Sequence, residues 1–345
     1  MNNMDGGSIL LITPKAGDFY LDITDELSKR GYVVDVIADL PDLRDPDFVR
    51  GIVKDDYDQN KKLVLEDYRK YWIETLSDSK YNKVYDILLV IDGRRLHPIL
   101  FEELRKRNPS IRCINYLFDT TRSIYRFNIN FQYFDKVVTF DQTDAKEYGL
   151  ELLPIPWKEC KSALGAKYTF FALGAYIPSR FDLFKFVKNI ADENSMLYYM
   201  KIYIKKVSLY PLKYIASCFM KRRNYIKPSI YYSSFTTHLF ISKDDFMKLM
   251  QESEIIVDSI DERQDGLTAH CTWALGAEKK IITNNASIAS YDFYTPEQIF
   301  IVSNYSDKTK TDLIKFTKTK FTMDESVRQS ISKFRIDNWV TSILS

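Results

Sequence analysis

Short apolar runs of strand length recur along the chain, each followed by a longer stretch of helical spacing. Ser8 to Thr13, Val33 to Ile37, Asp86 to Ile91, Ile111 to Leu117 and Lys136 to Phe140 are such runs. Between them, Asp18 to Arg30 reads as a helix closed by Gly31, and Leu63 to Leu76, Leu96 to Arg107 and Asp141 to Tyr148 read as three more. Strands that are apolar throughout are buried on both faces, which is the condition of a parallel sheet. Residues 1–153 therefore predict one doubly wound, Rossmann-like domain.

Pro154 and Pro156 interrupt this rhythm, so Leu153 to Lys167 predicts a linker. A second series follows. Tyr168 to Leu173 is a strand that leads to Gly174 and Arg180, and Lys243 to Met250 is a helix. Ile255 to Val257 is a strand, and the polar stretch after it is a loop. Leu267, Cys271, Ala274 and Leu275 then fall at i, i+4, i+7 and i+8, a helix closed by Gly276. Ile281 and Ile282 start the next strand, and Gln298 to Val302 is a late one. Met323 to Leu344 predicts a terminal helix with Trp339 on its apolar face. The expected fold class is α/β with two Rossmann-like domains, the second over 168–322, joined near Leu153 to Lys167 with a cleft between them.

A length of 345 residues suits two domains of ordinary size, and 45% hydrophobic residues suffice for two cores. The net charge of +2 argues against a general nucleic-acid binder, so no nucleic-acid partner is expected. Cys113, Cys160, Cys218 and Cys271 include no CxxC, which argues against zinc and fits a reducing cytoplasm. The start, MNNMDGGSILLIT, has no basic region before its apolar run and reads as a first strand rather than a signal peptide. No apolar stretch approaches bilayer length.

The β-loop-α-β stretch from Glu254 to Tyr294 carries the most specific wording. QDGLTAHCTWALGAEKKIITNN, followed by ASIASYDFY, resembles the donor-domain signature of GT-B-like glycosyltransferases of bacterial capsule and lipopolysaccharide loci. That family reads roughly Q-x-G-L-T-x-R-x-x-E-A-L-G-x-x-K-K-x-I-T-x-N, then I-x-x-Y-D-F-Y. His270 stands where the family has Arg, and Trp273 where it has Glu. INYLFDTTRS, FDKVVTFDQTDAKEYGLELLPIPW and FFALGAYIPSR also look like family blocks. The resemblance implies a GT-B-like fold whose C-terminal helix, 323–345, crosses back to the first domain. It implies transfer of a sugar from a nucleotide-sugar donor to a glycan or lipid-linked glycan acceptor. The nucleotide-sugar is then a substrate, with no cofactor and no metal.

A leaving diphosphate needs donors and positive charge. Helix N-termini supply both, so Gln264, Gly266, Leu267, Thr268 and His270 are candidate donor-binding residues, with Gly174 and Arg180 on the loop after their strand. His270 is a shorter clamp than Arg and is only partly protonated at neutral pH. Trp273 cannot accept hydroxyl hydrogen bonds as Glu would. On the acceptor side, Asp92 and Asp119 follow strands at the edge where open α/β sheets place ligands. Asp119, within a family block, is the candidate catalytic base, against a plain helix-capping Asp. His97, before Pro98, is expected to be structural. Asp56-Tyr57-Asp58 has a DxD form but lies in the polar excursion from Pro41 to Lys62, away from any strand end.

Lys201 to Lys227 carries eight basic residues and no acidic one, interleaved with apolar side chains. This suits anionic lipid headgroups and a peripheral position at the inner face of the membrane; a solvated helix face is the alternative. Two rivals to the transferase stay open: a catalytically weakened homologue that binds a glycan or a partner, and a nucleotide-sugar epimerase of similar fold.

Overall fold

The computed structural model describes residues 6–14, 19–38, 66, 68–124, 127–159, 165–219 and 226–345. The excursion from Pro41 to Lys62, with Asp56 and Asp58, lies outside these residues, as do Cys160 and the basic residues Lys221, Arg222 and Arg223. The chain divides into two compact units. The first comprises Met1–Lys158, Arg263–Ala269 and Ile331–Ser345; the second comprises Glu159–Glu262 and His270–Ser330.

The first unit is built on a six-stranded parallel sheet. In chain order its elements are β1 (Ser8–Thr13), α1 (Phe19–Lys29), β2 (Val33–Ala38), α2 (68–77), β3 (Ile87–Ile91), α3 (Pro98–Arg107), β4 (Arg112–Leu117), β5 (Lys136–Thr139), α4 (Gln142–Tyr148) and β6 (Glu151–Leu152). The strands lie in the order β2-β1-β3-β4-β5-β6, and every adjacent pair is parallel. The order reverses between β1 and β3. Leu10, Ile12, Leu88 and Val90 pack with Trp72, Leu100, Phe101 and Leu104 on one face. His97 caps α3 by accepting from the Ile99 N–H at 3.1 Å, with Pro98 as the first helical residue. α4 is capped by Asp141 and stopped by Gly149 at φ 66°.

The second unit holds β7 (Tyr168–Ala175), α5 (Pro178–Glu193), β8 (Tyr198–Tyr203), α6 (Tyr210–Phe219), α7 (Pro228–Tyr231), β9 (Thr236–Thr237), α8 (Lys243–Gln251), β10 (Ser253–Asp258), α9 (Ala269–Gly276), β11 (Lys280–Thr283), β12 (Ile299–Ile301), α10 (Asp307–Lys318) and α11 (Glu325–Ser332). The first residue of α9, Ala269, belongs to the first unit. The sheet runs β12-β11-β10-β7-β8-β9, again fully parallel. Its switch of direction lies between β7 and β10. Phe170, Ala172, Leu183, Val187, Ile255 and Val257 form its core.

Two elements differ from the periodicity. The predicted terminal helix is broken in two, because Trp157 and Arg335 form a parallel bridge in which Trp157 N–H donates to Phe334 and Ile336 N–H donates to Trp157. The second piece, α12 (Ile336–Leu344), belongs to the first unit. There Trp339, fully buried, packs edge-on against Tyr116 at 4.8 Å. Arg30, Arg112 and Lys136 donate to main-chain carbonyls of this last segment. The other difference is the start of α9, two residues later than Leu267.

Candidate active site

Each sheet carries charged residues at the carboxyl ends of its strands, where a doubly wound sheet holds its ligands. In the second unit, β7 ends at Gly174 and Ala175, and α5 starts three residues later behind Pro178. One turn into α5, Arg180 folds back across Gly174; a Cβ on that glycine would come within 2.8 Å of the arginine stem. The guanidinium donates to the carbonyl of Ala175 at 2.8 Å and to that of Ser259 at 2.9 Å. It thus bridges the ends of β7 and β10, the two strands that flank the switch point. Burial lowers its pKa, while Asp258 and Asp261 oppose that shift. Ser179 and Asn284 tie down the same loop through Ile260, at 3.1 and 3.0 Å.

His270 and Trp273, the two departures from the family pattern, meet each other and Phe246 of α8. The imidazole stacks on Phe246 with centroids 4.6 Å apart, and Trp273 meets the same ring edge-on at 5.7 Å. His270 keeps some solvent exposure as a residue, but its ring is enclosed by these aromatics. Burial, aided by the field of Arg180, lowers its pKa to about 3. The imidazole is therefore neutral at pH 7, not partly protonated as its residue type suggests.

The other donor-site candidates lie in the first unit. The loop Arg263–Ala269 is held by the end of β5. Fully buried Asp141 accepts from the N–H groups of Asp265 at 2.8 Å and Gly266 at 3.3 Å, as well as from Asp144 at 3.0 Å. The anion at the N–H of Gly266, where a phosphate is expected, is thus the protein's own carboxylate. Gly266 packs so closely that a Cβ would lie 2.4 Å from the Phe140 carbonyl. Leu267 is fully buried and serves the core, and Thr268 is partly exposed just before α9.

Arg122 completes this network. It pairs with both Asp141 oxygens, at 2.9 and 3.0 Å, and lies 3.6 Å from Asp265. Thr143 donates to Asp265 through its N–H at 3.2 Å and through its hydroxyl, and Thr121 donates twice to Asp144. Burial first, then the adjoining Asp265, pushes Asp141 up to about 6, still ionised at neutral pH. Asp265 moves the other way: against the cost of burial, hydrogen bonds from Thr143 and the nearby Arg122 hold it down.

Asp119 follows β4 in the same unit. Arg94 donates to it and also to Asp92, and Gln264 donates to it at 3.2 Å. Asp92 is buried and takes φ 73°, a left-handed conformation that costs a non-glycine residue. The structure therefore joins Asp119, the candidate base, with Gln264, a candidate for the donor. It joins Arg180 with Gly174. It gives Gly266 to Asp141 and His270 to an aromatic cluster. Arg94, Arg122, Asp141 and Asp144 are the residues that sequence reasoning missed. The only signal for them is the polar wording of DGRR, FDTTRS and FDQTD after three strands.

Among the described residues, no group of three or more His, Cys, Asp and Glu could hold a metal ion. Lys280, buried at the start of β11, caps the end of α10 instead of reaching a ligand edge. It donates to Phe316 and, at 2.9 Å, to Thr319, and burial brings its pKa down to about 8.

Neither a scan of protein-family models nor a search of curated proteins finds a match to this chain. Solved structures do match its fold. An alpha-glucosyltransferase in complex with UDP and a 13-mer DNA is similar over 99% of this chain and 100% of its own, at 12% identity and a TM-score of 0.54. A protein assigned as a UDP-N-acetylglucosamine 2-epimerase, from Listeria monocytogenes, is similar over 98% of this chain and 94% of its own, at 8% identity and a TM-score of 0.50. The fold is the GT-B arrangement of two Rossmann-like domains.

Proposed function

We propose that the protein is a glycosyltransferase that moves a sugar from a nucleotide-sugar to a glycan or lipid-linked glycan of a bacterial surface polysaccharide, capsule or lipopolysaccharide. The observation that carries this reading is Arg180 at the switch point of the second sheet. A guanidinium has five N–H donors. Two main-chain carbonyls orient this one, and the rest of its fork can serve a diphosphate. Gly174 beneath it belongs to the same proposed donor site, and Thr268 just before α9 is a further candidate. Asp119 is the proposed base. It takes the proton of the acceptor hydroxyl as that oxygen bonds the sugar carbon and the nucleoside diphosphate leaves with the electron pair of the broken bond. Arg94, which donates to Asp119, must then give up that contact. Loss of the diphosphate is stabilised by fixed donors, with no metal in the proposal.

A second reading has support from the aromatic cluster. A neutral His270 and an indole that cannot accept a hydroxyl stand in place of a cation and a carboxylate, as in a weakened homologue that binds a glycan or a partner protein.

Calorimetry with UDP, other nucleoside diphosphates and nucleotide-sugars tests the donor site, because native-state ligands bind and stabilise in proportion to affinity. The transferase reading expects binding, and a fall in turnover of roughly 10²–10⁴ in Asp119→Asn. Binding without turnover in the wild type, with turnover gained by the double variant His270→Arg, Trp273→Glu, would select the weakened homologue. The absence of nucleotide binding in both proteins would remove the donor site.

A further inference from the structure

The helix α6 turns the wrong face outward for a helix packed on a soluble domain. Its buried positions are Tyr210 and Ser217, with Tyr214 half-buried between them. On another face, Leu212, Ile215 and Phe219 recur at intervals of three and four and are 51–83% exposed. Leu239 and Phe240, in a second segment of the same unit, are 77% and 74% exposed. Single exposed apolar residues are ordinary, but a helical stripe of them is not.

The segment that carries this stripe has charge of one sign. No Asp or Glu occurs from residue 194 to residue 243. Lys205 and Lys206, shortly before α6, and Lys213 within it are exposed. His238 does not offset this, being turned to the Ile204 carbonyl at 2.8 Å. Helices of this kind lie in the interfacial plane of a bilayer, with apolar side chains below the headgroups and lysines among the anionic ones. A protein partner would have to supply both an apolar groove and an unbroken acidic rim. An anionic lipid surface supplies both without a specific fit. No helix among the described residues is long and apolar enough to cross a membrane, so the contact is interfacial.

We propose that α6 inserts Leu212, Ile215 and Phe219 into the interface of an anionic lipid bilayer, held by Lys205, Lys206 and Lys213, so that the second unit is the membrane-docking part of the protein. This goes beyond the transferase reading and does not depend on it, because the docking surface needs no nucleotide-sugar to act.

The test is flotation of the full chain with vesicles of phosphatidylcholine alone or of phosphatidylcholine mixed with phosphatidylglycerol, at low and high salt. The wild type should float with the anionic vesicles only, and less so as salt rises. The triple variant Leu212→Gln, Ile215→Gln, Phe219→Gln should bind at least about tenfold more weakly at every salt concentration. Lys205→Glu, Lys206→Glu, Lys213→Glu should abolish the preference for anionic lipid. Phe219→Trp should gain fluorescence quenching by brominated anionic lipid, a readout that needs no destabilising change. Circular dichroism of each variant checks that the fold persists. Flotation of the triple apolar variant equal to that of the wild type would overturn the proposal, as would absent quenching in Phe219→Trp. So would self-association of the wild type that the triple variant loses, or retention on duplex DNA with no flotation. The first of these would assign the face to a second copy of the chain, the second to nucleic acid.

Discussion

At the carboxyl edge of the first sheet, arginines meet carboxylates: Arg94 meets Asp92 and Asp119, and Arg122 meets Asp141 and Asp265. At the same edge of the second sheet, Arg180 meets carbonyl oxygens and His270 meets aromatic rings. The first arrangement spends its charges on itself and fixes a loop. The second holds a cation in place through carbonyl oxygens, with Asp258 and Asp261 in its field but not among its hydrogen-bond partners. Two Rossmann-like sheets of the same size therefore carry different chemistry at equivalent places, and the difference lies in what the arginines touch.

The sharpest way to break this contrast is to remove the anion of the first edge. Asp141→Ala should destabilise the protein by about 3–5 kcal/mol in urea unfolding, since Arg122 and three N–H groups would lose a buried partner. A cost below 1 kcal/mol would show that this network contributes little. On the other edge, Arg180→Ala should cost less stability, about 1–3 kcal/mol for its two carbonyl bonds, and weaken nucleoside diphosphate binding by roughly 1.5–3 kcal/mol in calorimetry. Arg180→Lys should recover only part of it, because an ammonium lacks the planar fork.

Gly266→Ala probes how tightly the loop is seated. Its Cβ would meet the Phe140 carbonyl at 2.4 Å and ring carbons at 2.5 and 2.8 Å, so a loss of about 1–3 kcal/mol in thermal or urea unfolding is expected. The smallest effect per step is a pH dependence. The pKa of His270 is about 3 in the folded protein, below its ordinary 6.5, so the unfolded chain binds the extra proton between these values. Its contribution to stability is complete above pH 6.5 and falls by about 1.4 kcal/mol for each pH unit below it, down to about pH 3. The shifts of Asp141 and Asp265 in the first unit run in opposite directions. Unfolding free energies of wild type and His270→Phe at pH 7 and pH 5 should thus diverge. Parallel curves would place the imidazole in water.

The sheets were legible because strands such as Leu10 to Ile12, Leu88 to Ile91 and Ile255 to Val257 are buried on both faces and leave unbroken apolar runs. The loop before α9 was legible as a loop, but its partner was not. The bonds from Asp265 and Gly266 to Asp141 span more than a hundred residues, and no local spacing encodes them. The neutral state of His270 was hidden for the same reason, since Phe246 comes from another helix. In α6, basic and apolar positions could be read, but which of them faced solvent depended on Tyr231 stacking on Tyr210 at 3.6 Å.

The placement of α12 has a consequence for how the protein is made. Trp339 and the carbonyls bound by Arg112 and Lys136 lie in the core and rim of the first unit, yet they are encoded after the whole of the second. On a nascent chain emerging residue by residue, the first unit would wait with Tyr116 uncovered while the second closes. Its last folding step joins segments more than two hundred residues apart, a slow closure by any measure of chain topology. The order of synthesis and the order of completion are thus reversed for the two halves.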